Sequence, residues 1–256
     1  MPAGWYDDPR GVARLRWWDG SLWTEHGHGP AAVALRGGIV AIVVLVVVRI
    51  SSELLVRPLS DTAAPLWLVA VAFYVVVYGV MTATAMRWLR PSVDWRRWLR
   101  REVDRSDLWR GALVWLSTIA VGVVAAIVIQ VTRLPMRSNG DVLYSYRERN
   151  LALFAISAIA AIVVAPVVEE LYFRALVQRG LASRLRAWQA IVVQGSVFGV
   201  YHVIPRFGWA NVGLVLVLSC YGWAFGAWAQ HTGRVGPTMV GHAIVNGIAV
   251  LVAYLS

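Results

Sequence analysis

Seven apolar runs, each close to the 20 residues or so that a helix needs to cross a bilayer, alternate along this chain with arginine-rich breaks. They cover about Val33–Leu55, Pro65–Met86, Leu108–Val131, Leu151–Val168 with a polar helical extension, Trp188–Ile204, Asn211–Gln230 and Thr238–Leu255. Such a chain has little choice of fold. Backbone polar groups in lipid must be satisfied within their own segment, so runs of this length become helices and the helices associate into a bundle. Composition agrees: 59% of the 256 residues are hydrophobic and 15% are charged, against about 25% charged in a soluble domain. The expected fold is therefore all-α, a polytopic membrane bundle of about seven to eight transmembrane helices. The expected organisation is a small module over 1–30, leading helices with a basic amphipathic segment over 31–110, and a membrane core over 111–256.

The formal charge of +10 suggests nucleic acid at first sight, and all 24 basic side chains are arginine. Their placement between spans argues otherwise. The stretch Pro91–Arg105 (PSVDWRRWLRREVDR) interleaves Trp and Arg, and between two spans it reads as an amphipathic helix lying on anionic lipid. The expected partner is the lipid bilayer, with no nucleic acid. Orientation follows from the arginine count. With the N-terminus inside, seventeen arginines fall in inner segments, six in outer loops, and Arg49 lies within the first span. The N-terminus is therefore expected in the cytoplasm, in the cell membrane. Cys220 is the one cysteine and lies in an apolar run, so neither a disulfide framework nor a Cys-based zinc site is expected.

The segment from Met1 to about Pro30 is polar and Trp-rich. Trp5, Tyr6, Trp17, Trp18 and Trp23 can form a small aromatic cluster, and Asp19-Gly20 between aromatic runs reads as a hairpin turn. The patterns G-W-Y-x-D-P and W-D-G-x-x-W-T resemble a short N-terminal domain of unknown function that often precedes membrane segments.

Ionisable groups inside apolar runs are costly and mark functional candidates. Three clusters stand out: APVVEELYFRALVQRG with Glu169, Glu170 and Arg174; SVFGVYHV with Phe198 and His202; and MVGHAIVNG with His242 and Asn246. Glu170 and Arg174 are four apart and can pair, which leaves Glu169 free. Pro166, three residues before Glu169, can bend its helix. A hairpin turning near Leu185–Arg186 brings Glu169 and His202 to one depth. His242 is harder to place: about six residues into its span, it is expected some 12 Å from the depth of His202 if the helices are parallel. One carboxylate, two imidazoles and a carboxamide on three spans form a set suited to proton transfer and oxyanion stabilisation.

The three motifs in order, E-E-x-x-x-R (Glu169, Glu170, Arg174), F-x-x-x-H (Phe198, His202) and H-x-x-x-N (His242, Asn246), resemble those of the CPBP family of intramembrane endopeptidases, which includes CAAX prenyl protease 2. The resemblance covers about Leu151 to the C-terminus and makes 111–256 a CPBP-like core. It implies a multi-pass hydrolase that cuts peptide bonds of membrane-associated or lipidated substrates. It also implies that Glu169 and His202 activate water while His242 and Asn246 stabilise the oxyanion, with Glu170, Arg174 and Phe198 in support. Family members are described both as metalloproteases and as metal-free glutamate-type proteases, so zinc stays open as a cofactor. Two His and a carboxylate can hold zinc with one open position, but there is no H-E-x-x-H and no G-x-S-x-G elbow. Two other readings stand beside the protease: a non-catalytic scaffold or immunity-type protein of the same fold, and a small proton-coupled transporter.

Overall fold

The computed structural model describes residues 1–8, 15–28, 33, 35–59, 65–89 and 102–255. The apolar runs are helices: α1 (Leu35–Leu59), α2 (Leu66–Leu89), α3 (Asp107–Thr132), α5 (Leu151–Ala182), α6 (Ala187–Tyr201), α7 (Asn211–Thr232) and α8 (Gly236–Leu255). Between α3 and α5 lies α4 (Asn139–Arg149), and a 3-10 turn, Pro205–Ala210, joins α6 to α7. Among the described residues, six helices are long and apolar enough to cross a membrane. The fifth expected span, α6, has 15 residues, or about 22 Å of rise against a hydrocarbon core of about 30 Å. It stops early because the helix ends at His202, whose backbone (φ −87°, ψ 5°) is no longer helical. The chain is a multi-pass membrane protein. Most of the expected amphipathic segment Pro91–Arg105 lies outside the described residues.

Side-chain periodicity explains how the helices sit. On α1, Val43, Val46, Val47, Ile50 and Leu54 are exposed while Ala41 and Leu45 are buried. That spacing is one helical stripe for lipid and another for the bundle. The buried stripe meets α5, where the Tyr172 hydroxyl donates to the Ala41 carbonyl over 2.6 Å. Helices α6 and α7 touch through glycine. A Cβ placed on Gly222 would stand 2.7 Å from the Cα of Gly195, so the backbones meet directly, as small residues permit in membranes.

A polar latch closes one end of the bundle. Arg179 at the end of α5 donates to both oxygens of Glu102, over 2.8 and 3.0 Å, and to the Gly233 carbonyl over 3.1 Å. Glu102 also accepts the Val235 amide over 3.0 Å. Arg234 donates to Asp104 and to Asp107. The α7–α8 turn is thereby tied to the start of α3 and the end of α5. At the other end of the chain, the N-terminal module is an antiparallel sheet of β1 (Gly4–Asp7), β2 (Leu15–Trp18) and β3 (Trp23–His28) in that order. The Asp19-Gly20 turn forms as expected: Asp19 accepts the amides of Ser21 and Leu22, and Gly20 takes φ 107°. Trp18 and Trp23 pack edge-on at 5.3 Å, and buried Arg16 pairs with Asp8 over 2.8 Å.

Two outcomes follow. Gly222→Ala forces a methyl into the Gly195 backbone, and overpacking of this kind costs about 1–3 kcal/mol; thermal unfolding in detergent should show a clear drop in midpoint, while Gly79→Ala, with open space at its Cβ, should not. In the latch, hydrogen bonds from Ser106, helped by Arg234, hold the Asp104 carboxyl down to about 2 from its usual 3.8. A depressed folded value means stabilisation that is present above about pH 4 and lost as pH falls through about 2. Asp104→Asn should remove that acid dependence from the unfolding curve.

Candidate active site

The helix α5 is built in pieces, and the pieces place its carboxylates. Residues Ala160–Val164 and Glu170–Gln178 are π-helical, and a short α-helical turn, Ala165–Glu169, lies between them. In the first π segment the Ala165 amide reaches back five residues to the Ala160 carbonyl. The next bond in that register would run from residue 166 to the Ala161 carbonyl, but Pro166 has no N–H. Asn246 fills the place: its Nδ2 donates to the Ala161 carbonyl over 2.7 Å. The proline expected to bend the helix thus creates a carbonyl that docks α8.

Glu169 and Glu170 are both buried and face different partners. Glu170 Oε1 receives Arg174 Nη1 over 2.9 Å, as the four-residue spacing implied, and also His242 Nδ1 over 2.9 Å, which the spacing did not reveal. Arg174 lies against the rings of Phe198 and Phe225, 4.7 and 5.1 Å from its guanidinium carbon, a cation–π cage. Its Nη2 reaches the Gly222 carbonyl at 3.4 Å, and Gln194 binds that carbonyl over 2.8 Å. Buried charges need such pairing in a low-dielectric interior.

Glu169 is held differently. Its Oε1 accepts a hydrogen bond from the Tyr78 hydroxyl over 3.3 Å. Its Oε2 is buried with no hydrogen-bond partner in the protein. It lies 3.9 Å from His202 Nε2 and 4.0 Å from His242 Nε2, separations suited to a shared water. The expected 12 Å offset in depth does not separate the two imidazoles. Parallel helices starting at one level cannot bring both to one oxygen, so α6 and α8 differ in tilt or starting level.

The outer partners of the rings fix their inner nitrogens. His202 Nδ1 is 2.8 Å from the Phe198 carbonyl, which can only accept, so Nδ1 carries hydrogen and Nε2 presents its lone pair to Glu169. His202 is steadied further by Arg49, which donates to the next residue's carbonyl, Val203, over 2.7 Å. His242 Nδ1 donates to Glu170, and its ring stacks on Phe225 at 5.2 Å. With Glu169, Glu170 and Arg174 ionised, the cluster holds one negative charge in excess.

These groups line a cavity of about 240 Å³. Its walls include Tyr74 and Tyr78 of α2, and its rim includes Asn139, Gly140 and Tyr146 of α4. All four proposed reacting residues, Glu169, His202, His242 and Asn246, border it, as does Phe198. Sequence reading missed the α2 tyrosines, whose signal was hydroxyl groups in an apolar span. It also missed α4, whose signal was Ser138 three residues before Asp141: the two form a capping box at the helix start.

Residues 151–248 match the family described as type II CAAX prenyl endopeptidase Rce1-like, and residues 3–34 match the family described as protein of unknown function (DUF2510). Over residues 151–248 the membrane core is thus similar to the Rce1-like family. No match was found among curated proteins or among solved structures. The Rce1-like match begins at the first residue of α5 and ends inside α8, so it contains both carboxylates and both imidazoles.

Zinc makes definite demands on a donor set such as this one. In kind, a carboxylate and two imidazoles suit the ion. In spacing they do not: ligands about 2.0–2.1 Å from a tetrahedral ion lie about 3.4 Å from one another, and Glu169 Oε2 stands 3.9 and 4.0 Å from the two nitrogens. Among the described residues, no group of three His, Cys, Asp or Glu side chains has metal-site geometry. The residues as arranged do not fit zinc.

The pairing predicts a non-additive stability pattern. Arg174→Met leaves Glu170 buried against His242 alone and should cost about 3–5 kcal/mol. Adding Glu170→Gln should recover part of that loss. Denaturant unfolding of both variants in micelles reads the difference; equal losses would show that Arg174 acts through packing alone.

Proposed function

We propose that this protein is an intramembrane endopeptidase in which Glu169 and His202 activate a water molecule, and His242 and Asn246 stabilise the oxyanion. The observation that carries this reading is the unpartnered, buried Oε2 of Glu169 between two imidazole Nε2 atoms. A buried acceptor without a partner is expensive to maintain, and a carboxylate in this position is a general base aimed at a shared point.

Each residue has a distinct task. Water held between Glu169 and His202 loses a proton to the Glu169 carboxylate, while the His202 Nε2 lone pair orients it. The water oxygen bonds to the scissile carbonyl carbon, and the carbonyl electron pair moves to oxygen. His242 donates to that oxyanion from Nε2 when its ring carries two protons, with its Nδ1–H held by the Glu170 carboxylate. Asn246 spends one N–H on Ala161 and has a second for the oxyanion. The proton on Glu169 then passes to the leaving amine as the C–N bond breaks. Tyr78 holds the far oxygen of Glu169 and so fixes which oxygen takes the proton. Substrates are membrane-associated or lipidated polypeptides, since the cavity lies among membrane helices.

Glu169→Gln is nearly isosteric and removes the base, so the chemical step should fall by about 10²-fold or more while folding and membrane insertion persist. Membrane-peptide termini compared between cells carrying the wild type and cells carrying Glu169→Gln should differ. A chelator should leave the wild-type pattern unchanged. Identical termini in the two cell lines would refute the protease reading, and liposome flux dependent on Glu169 would favour a transporter. Chelator-sensitive processing would overturn the metal-free mechanism.

A further inference from the structure

We infer that Arg49 of α1 is a positioning residue for the hydrolysis: by holding the end of α6 it sets the direction in which His202 presents Nε2. This role rests on the protease reading of the site and adds to it a helix that supplies none of the reacting groups.

An ionisable side chain inside an apolar span is costly and calls for a functional account. Arg49 is such a side chain, and the mechanism assigns it no task. Its neighbours Val46, Val47 and Ile50 are exposed on the lipid side of α1. Arg49 instead reaches another helix, where its Nη2 donates to the Val203 carbonyl over 2.7 Å. Arg49 does not border the cavity, whereas His202 and Ile204, on either side of Val203, both do. Its route to the site is therefore the backbone that carries His202.

The end of α6 needs such a hold. The last carbonyls of a helix have no partner within it, and in a bilayer interior water does not replace one. Here the helix stops at His202, with φ −87° and ψ 5°, and groups from three helices take up the loose ends. His202 Nδ1 donates to the Phe198 carbonyl over 2.8 Å. Asn211, at the start of α7, accepts the Ile204 amide over 2.8 Å and donates to the Ile204 and Gly208 carbonyls, each over 2.9 Å. Val203 lies between these two clamps, and its carbonyl is the one that Arg49 takes. A guanidinium donor makes a stronger bond than a neutral one, and the negative end of a helix favours a cation. The backbone on the far side of His202 is thereby gripped from α1 and from α7. The ring needs that fixed base: Nε2 stands 3.9 Å from Glu169 Oε2, a gap that one water bridges only while the ring keeps its direction. A misplacement of about 1 Å at a reacting group costs up to about 100-fold in rate.

The test uses the full-length chain in lipid nanodiscs and a peptide spanning a terminus that Glu169→Gln abolishes in cells. Arg49→Met keeps an unbranched side chain and removes the donor. On folded protein its kcat should fall by about 10- to 100-fold, with KM within about twofold of the wild type, the split expected when chemistry and not binding is damaged. Arg49→Lys keeps one cationic donor, so its kcat should lie between those of the wild type and Arg49→Met. A wild-type kcat in either variant, or a loss carried by KM alone, overturns the inference. So does a lysine no better than methionine, because donation to the carbonyl would then not be what matters. Should Arg49→Met not accumulate as folded protein, Arg49→Lys decides alone: a reduced kcat at unchanged KM supports the inference, and a wild-type kcat refutes it. Glu169→Gln in the same assay separates the two readings. Glu169-dependent hydrolysis that ignores Arg49 refutes this inference and leaves the protease reading intact, whereas a complete lack of Glu169-dependent hydrolysis refutes the protease reading and this inference with it.

Discussion

A carboxylate buried in a membrane bundle must have its charge met, and the pairing of Glu170 with Arg174 and His242 is the interaction on which the rest of this structure depends. One oxygen of Glu170 receives donors from two helices, both over 2.9 Å. Arg174 carries the connection on to the Gly222 carbonyl of α7. Three helices are thereby held in register by a single charged group. Leaving such a group without its partners costs several kcal/mol, so the arrangement is strongly specified. Its consequence for chemistry is indirect: with Glu170 and Arg174 occupied by each other, Glu169 remains as the carboxylate that faces the cavity.

The irregular backbone of α5 serves the same end. A regular α-helix satisfies its own carbonyls, which leaves nothing for a neighbouring helix to grip. Wide π turns on either side of Glu169, and a proline within the short α-helical turn between them, leave the Ala161 carbonyl for Asn246. Departures of this kind inside helices are frequent at functional sites. The direct glycine contact between α6 and α7 brings Gln194 and Gly222 to the same place, so packing and polar satisfaction converge behind the floor of the cavity.

Much of this architecture was legible in the sequence because membrane helices carry their signal in composition. Six of the seven apolar runs are helices of spanning length, and α6 is the exception because its helix ends at His202. The Glu170–Arg174 pair was legible from a spacing of four. The Asp19-Gly20 turn was legible from its residue types. Tertiary relations were not: nothing local to MVGHAIVNG shows that His242 turns its outer nitrogen to Glu170, or that both imidazoles meet one oxygen of Glu169. The segment around α4 reads as an outer loop because its charged and polar residues mask a short amphipathic helix, although its Ser138–Asp141 capping box was present in the sequence. The π segments have no sequence signature beyond Pro166; the first packs against α8 and the second against α1.

An experimental map of the protein in lipid, sharp enough to show ordered water, tests the central claim most directly. The account predicts one water within about 3 Å of Glu169 Oε2 and of His202 Nε2, with His242 Nε2 directed at the same point and Arg174 bound to Glu170. A map in which Glu169 instead pairs with Arg174, or in which the two imidazoles point to separate places, would contradict it.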